Sequence, residues 1–299
     1  MQTFLALTKR NIKLFFKDKG LLFTSLITPI ILLVLYVTFL ANVYKDTFTS
    51  NLPDGLEIKE SIINGTVSGE LISSLLAVCC ITVAFCANTL MASDKVKKVV
   101  NDLSVTPLPK HTLALSYFFA TLVTTLIMTY TATIAGFIYI ACTGWFLSVG
   151  DVFLIILDVF LLTTFGTAFS SIINTFLTSQ GQVSGIGTIV SAGYGFICGA
   201  YMPISSFSPA LQKVLMFLPG TYGTALTRNH FLNGVFNEME SAGFPSNVVE
   251  TIKNSIDCNI YFFNNQVSIL AMYIVLIIAT IALVGAYVLV NVLRRNKGK

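Results

Sequence analysis

Long apolar runs alternate with short charged ones along the chain, and six runs reach the roughly 20 residues a helix needs to cross a bilayer. They cover residues 21–43, 71–92, 112–141, 152–173, 181–201 and 266–293. The first is too long for a signal-peptide core, and no small-x-small cleavage pattern follows it, so it is read as a retained span. Three stretches between the runs have patterns of their own. Residues 1–20 place Leu5, Thr8, Ile12, Phe15 and Phe16 at helical spacing, with Lys9, Lys13 and Lys17 in an i, i+4 row elsewhere. That is the pattern of a basic amphipathic helix lying in a membrane interface. Its role is either simple anchoring or docking of a partner.

Residues 93–111 set Val96, Val99, Val100 and Leu103 at i, i+3, i+4 and i+7, which predicts one apolar stripe on a short helix. Pro107 ends that element, because the residue before a proline is pushed away from helix. The third stretch, residues 202–228, stays apolar although Pro203, Pro209 and Pro219 interrupt it. Non-helical backbone at membrane depth is tolerated only where protein buries it or water lines it. Pro209 suits the first turn of a new helix, whose Leu211, Val214, Leu215 and Leu218 form an apolar face that Pro219-Gly220 ends. The stretch therefore reads as two short helices that dip into one leaflet and return, with that face against the spans and Gln212 and Lys213 toward water.

Composition agrees. Of 299 residues 55% are hydrophobic and 11% charged, against roughly 25% charged in soluble domains. This is an all-α integral membrane protein, and its net charge of +4 gives no reason to expect a nucleic-acid partner. If both termini are cytosolic, the cytosolic segments hold Lys9, Arg10, Lys13, Lys17, Lys19, Lys95, Lys97, Lys98, Lys110, Arg294, Arg295, Lys297 and Lys299, which is 13 of the 18 basic residues. That orientation satisfies the positive-inside rule and the opposite one inverts it. The outer segments 44–70 and 233–265 are then the long loops.

Candidate chemistry is sparse. Asp158 lies inside the fourth run; such a carboxylate is costly and faces protein or water. It marks a pathway, reaches toward headgroups, or is protonated. The third run is rich in threonine, Thr125 included, and these hydroxyls either line a pathway or bond their own helix's carbonyls. The fifth run carries Gly181/Gly185 and Gly195/Gly199, small pairs that let helices approach closely or mark a broken helix. A bridge between Cys142 and Cys258 is possible on the outer side, and no cysteine spacing resembles a metal site. No G-x-x-x-x-G-K-[ST], G-x-S-x-G or H-E-x-x-H occurs. No enzyme is legible.

Together these features resemble the permease subunit of the ABC transporter type-2 family. The resemblance covers the whole chain and is most specific in "GFICGAYMPISSFSPALQKVLMFLPGTYGTALTR", which is similar to the family's Gly-x-x-x-Pro, apolar helix and PxxYxxxxLR pattern. "DKVKKVVNDLSVTPLPK" resembles the coupling segment of the daunorubicin-type, multidrug efflux branch. Many relatives carry Glu near Val96 and Gly near Lys98, and this chain has neither. The resemblance implies one type-2 transmembrane domain over 1–299: interfacial helix 1–20, six spans, coupling helix 93–111 and re-entrant lid 202–228. It places coupling on Asp94, Lys98, Asp102, Leu103 and Pro107, and the lid on Pro203, Pro209, Leu215, Pro219 and Arg228. It also implies a separate ATP-binding cassette ATPase carrying ATP and Mg, no cofactor on this chain, and a second permease copy, identical or sibling. Membrane lipids surround the assembly, which exports an amphipathic substrate (drug, lipid, peptide or glycan) across the cell membrane. A secondary transporter or channel without an ATPase is the alternative.

Overall fold

The computed structural model describes residues 2–42, 45, 59–105 and 110–297. Pro107 and most of the predicted outer loop 44–70 lie outside these residues. The chain is all-α apart from one two-stranded hairpin. Its helices are α1 (Gln2–Lys17), α2 (Lys19–Leu35, extended by a π-turn Tyr36–Leu40), α3 (Glu60–Val96), α4 (Val99–Val105), α5 (Lys110–Thr143) and α6 (Val149–Phe176). Then come α7 (Gln180–Ile197), a 3-10 turn (Ile204–Ser206), α8 (Pro209–Leu215), α9 (Pro219–Ser241) and α10 (Ser246–Ser255). The strands β1 (Tyr261–Phe262) and β2 (Asn265–Gln266) precede α11 (Ile269–Lys297).

Four helices, α3, α5, α6 and α11, are long and apolar enough to cross a membrane, and α1 with α2, bent by 73°, makes a fifth if counted as one span. The break between α1 and α2 is a cap: the Asp18 side chain accepts from the Leu21 amide at 3.1 Å. α1 is amphipathic as expected, but its inner face is Leu7, Asn11 and Phe15, while Leu5 stands 55% exposed. The Lys9, Lys13 and Lys17 row is exposed.

α3 is the axis of the bundle. It packs on α2, α5, α6, α7 and α9 and begins at Glu60, so residues 60–70, expected in a loop, are its first turns. Its 37 residues span about 55 Å, well beyond the hydrocarbon thickness of about 30 Å. α6 starts from a capping box in which Ser148 and Asp151 satisfy each other's amides. α6 and α3 meet at Gly166, where an added Cβ would stand 2.6 Å from the Cys80 carbonyl oxygen. We therefore expect Gly166→Ala to force two backbones apart and destabilise the protein by about 1–3 kcal/mol. Gly285→Ala on α11, where nothing lies within 4 Å, should be neutral. Melting temperatures of the two purified variants test this, and equal values would refute the close approach.

The predicted stripe of 93–111 does not sit on one helix. α3 runs on to Val96, which is 46% exposed, and the chain turns at Lys97–Lys98 before α4 starts. Lys98 adopts φ 61°, a left-handed conformation that glycine takes at no steric cost. Val100 and Leu103 pack against a small core of Leu7, Met91, Leu113, Tyr117, Phe118 and Tyr287.

The fifth apolar run also ends early. α7 stops at Ile197, and Gly199 takes φ +75°. Gly181, Gly185, Gly187 and Gly193 meet nothing within 4 Å, whereas Gly195 lies against the Tyr201 ring. Pro203 caps the 3-10 turn, and Pro209 and Pro219 open α8 and α9. The expected inner face of α8 is only partly right: Leu215 is buried with Met216, while Leu211, Val214 and Leu218 are exposed at 41%, 58% and 37%. The cause lies in α9, whose Thr221 and Tyr222 hydroxyls donate to the Leu215 and Met216 carbonyls at 3.1 and 2.6 Å. Those bonds turn that edge of the seven-residue helix inward.

α9 runs antiparallel to both α3 and α6. Along α3, Gly65 faces Val235 and Gly69 faces Leu232, and Ser74 meets Arg228. Along α6, Asp151 bonds Asn233, Asp158 bonds His230 and Leu162 faces Gly223. The first residues of α9 therefore lie at the level of Leu162, about 20 Å down α6 from its start at Val149.

Candidate functional site

Several clusters of polar side chains interrupt the apolar bundle, Asn88 with Ser170 and Ser171 among them, and three hold the charged residues Asp94, Arg228 and Asp158. The first joins α1, α3 and α5 beside the Lys97–Lys98 turn. Asp94 accepts from Arg10 Nη1 at 2.8 Å and from the Tyr117 hydroxyl at 2.6 Å. Arg10 also donates to Asn11 at 2.8 Å. The next residue, Lys95, donates from Nζ to the Asn174 and Thr175 carbonyls at 2.9 and 3.1 Å, capping the end of α6 where carbonyls lack partners. Asp94 is buried, so it holds elements together instead of facing a partner. Lys97, Lys98 and Asp102 are exposed, and Leu103 is half-buried.

The second cluster surrounds Arg228, 2% exposed. Nη1 donates to the Ile256 carbonyl at 2.6 Å, and Nη2 donates to Ser74 Oγ at 2.8 Å and the Gly199 carbonyl at 2.9 Å. Asp257 stands 3.8 Å away and accepts the Ile204 amide at 2.7 Å. Glu70, one turn before Ser74 on α3 and also buried, adds a second carboxyl within electrostatic range. Burial pushes the Asp257 carboxyl up to about 6, while Arg228 draws it down. One guanidinium thus ties α3 and α9 to both sides of the 199–206 turn and to the segment before the hairpin. Guanidinium suits this work, since its fork offers several fixed donors and is weakly hydrated.

The third cluster is Asp158, 1% exposed. One oxygen pairs with His230 Nδ1 at 2.5 Å and the other accepts the Tyr273 hydroxyl at 2.5 Å. It neither reaches toward headgroups nor opens to water; it laces α6, α9 and α11. Thr125 is buried, and its hydroxyl has no partner among the described residues. Thr124, Thr129, Thr131 and Thr133 bond carbonyls of their own helix. Cys142 is exposed and Cys258 buried, both as free thiols.

The predicted coupling residues Asp94, Lys98, Asp102 and Leu103 gather at one end of the bundle. Of the predicted lid residues, Pro219 and Leu215 lie at the start of α9, level with Leu162 near the middle of α6, and Arg228 meets Ser74 on α3. Sequence reasoning missed Arg10, Tyr117, Glu70, Asp257, His230 and Tyr273. Arg10 and Glu70 carried a signal, as charges whose helical neighbours at i±4 are apolar or small; the aromatic partners carried none.

A bundle of long apolar helices whose buried polar groups bind helix to helix defines a multi-pass membrane protein. The sequence profile of the ABC-2 type transporter family matches residues 2–232, and the chain belongs to that family, whose members are transmembrane permeases and not themselves catalytic. The match ends within α9, so α10, the hairpin and α11 lie beyond it. No curated protein matches the chain.

Proposed function

We propose that the chain is the permease subunit of an ATP-driven exporter of amphipathic molecules, working as a pair of permeases with two separate ATPase subunits. The observation that carries this reading is the exposed Lys97, Lys98 and Asp102 corner, mounted on the core that joins α1, α3, α4 and α5. A soluble partner pushing there moves the interfacial helix and two spans together. ATP and Mg reside on the partner. The bent α1–α2 pair, α3, α5, α6, α7 and α11 make six crossings, with both termini cytosolic. α8 and the first half of α9 form the re-entrant lid, supported by the deep start of α9 beside Leu162. A secondary transporter needs an accessible charged group for its coupling ion, and both oxygens of Asp158 are engaged.

The test is co-purification of the tagged chain from its native membrane. A Walker-type ATPase should accompany wild-type protein and be lost from the K97E/K98E/D102R variant, which should still insert. In intact cells a cysteine placed at Lys213 should be labelled from outside and one at Lys98 should not. A chain that purifies without an ATPase and transports on an ion gradient would overturn the proposal.

A further inference from the structure

A cavity of about 260 Å³ opens between α8 and the segment 254–264. Its size is just below the range of about 300–1,000 Å³ for drug-sized ligands, so it has room for one small ring. Its lining combines aromatic rings with neutral amides. Phe262 is clamped edge-on between Phe217 at 5.3 Å and Phe263 at 4.8 Å, which makes a rigid aromatic wall. The hairpin tip beneath it holds Phe263 at φ 45° and Asn264 at φ 70°. Two successive left-handed residues form the turn that Asn-Gly normally fills, and a bulky phenylalanine there is strained. Strain kept in this way marks a candidate functional position.

The hydrogen-bonding capacity left open is of both kinds. Asn254 uses its oxygen to accept from Asn259 and Tyr261 at 2.9 and 3.0 Å, leaving its amide nitrogen without an acceptor among the described residues. Asn259 uses its nitrogen toward Glu250 and Asn254, which leaves its oxygen open. Gln212 likewise donates to the Ser205 and Phe207 carbonyls and keeps its oxygen. At the rim, Lys213 is exposed and makes no ion pair among the described residues. Asp257 also lines the cavity, with its Oδ2 held by the Ile204 amide and 3.8 Å from Arg228, so the open groups are mainly neutral amides, with one cation and one buried carboxylate. An ammonium ligand needs acceptors only, and a phosphate needs donors only. A hydroxyl both donates and accepts, and a ring of hydroxyls with apolar C–H faces matches amides beside an aromatic wall.

We propose that this pocket binds a hexose-sized saccharide unit, either as a free sugar or as the headgroup of a glycolipid. It goes beyond the transport reading by assigning a ligand to a pocket lined in part by α8, the helix placed in the lid. Only its placement on the outer face rests on that reading.

The experiment uses the full-length purified chain, without any ATPase, and saturation-transfer NMR with methyl α-glucopyranoside as probe. Transfer to the sugar ring protons is expected. It should fall at least fivefold in K213A/F263A, whose side chains are exposed, and be unchanged in Phe153→Ala, an exposed aromatic on α6 outside the pocket. Gel filtration confirms that each variant stays folded. A second arm incorporates the chain into phosphatidylcholine nanodiscs with or without glucosyl diacylglycerol. Displacement of the methyl glucoside signal by the glycolipid assigns the headgroup as source, and undiminished signal assigns the free sugar. Equal transfer from glycylglycine, no transfer at all, or equal transfer in K213A/F263A would overturn the proposal. Because no ATPase is present, loss of this binding leaves the transport reading intact, and failure of the co-purification leaves the pocket intact.

Discussion

Replacing Arg228 with alanine should prevent stable folding or lower the melting temperature on the order of 10 °C. The guanidinium makes three hydrogen bonds to groups on α3, after α7 and before the hairpin. Its removal leaves the buried carboxyls Glu70 and Asp257 without their cation. Breaking a buried pair from one side costs about 3–5 kcal/mol, and the orphaned Ile256 and Gly199 carbonyls add to that. Arg228→Lys should fall between, since an ammonium keeps the charge but cannot span three acceptors in one plane. The double variant R228M/D257N, which removes charge from both sides, should recover part of the loss. Thermal unfolding of detergent-purified protein reads all three. A fall smaller than about 2 °C for Arg228→Ala, the size of an ordinary surface substitution, would show that this cluster does not hold the fold.

The second large effect is expected on coupling. Asp94→Ala removes the acceptor shared by Arg10 and Tyr117, whose bonds measure 2.8 and 2.6 Å. α1 then loses its polar tether to α3 beside the turn that we propose the ATPase grips. Insertion should survive, because Leu7 and Phe15 keep α1 packed. In the reconstituted complex, substrate stimulation of ATP hydrolysis should drop on the order of tenfold, within the usual range of coupling energies between sites. Arg10→Asp alone should do the same, and the swap R10D/D94R should restore part of the stimulation. Such recovery is the mark of a direct pair, which single variants cannot give. Full stimulation in Asp94→Ala would remove this pair from the coupling path.

The all-α class, the spans at α3, α5, α6 and α11, the first-turn role of Pro209 and the amphipathic nature of α1 were all legible, whereas Pro219, read as a helix breaker, opens α9. Apolar length and proline placement report directly on backbone hydrogen bonding, and that constraint is strict in lipid. Which face of a short helix turns inward was not legible. Of the expected faces of α1 and α8 only Phe15 and Leu215 are buried, joined by Leu7, Asn11 and Met216, because bonds from distant elements set the rotation. The 93–105 segment shows the same limit: Val96 and Val99 keep helical spacing, yet the left-handed Lys98 puts them on different helices. Asp158 was found as a charge inside a span, but its partners His230 and Tyr273 lie 72 and 115 residues away. No local pattern announces such a meeting. The same holds for Arg10, whose partner is 84 residues on.

The Arg228 cluster also sets an order of events during synthesis. Glu70 and Ser74 enter the membrane early, and Arg228 follows some 150 residues later. Asp257 and the Ile256 carbonyl arrive later still, after α9 and α10 have left the ribosome. Until then the nascent chain carries a cation whose bonding is incomplete, and its neighbouring helices have no fixed spacing. Completion of the segment just before the hairpin therefore closes this cluster, ahead of α11, whose Tyr273 has still to reach Asp158. A chain arrested ahead of residue 256 would keep Arg228 short of its Ile256 and Asp257 partners, a charge left incompletely paired among apolar helices, where it is costly.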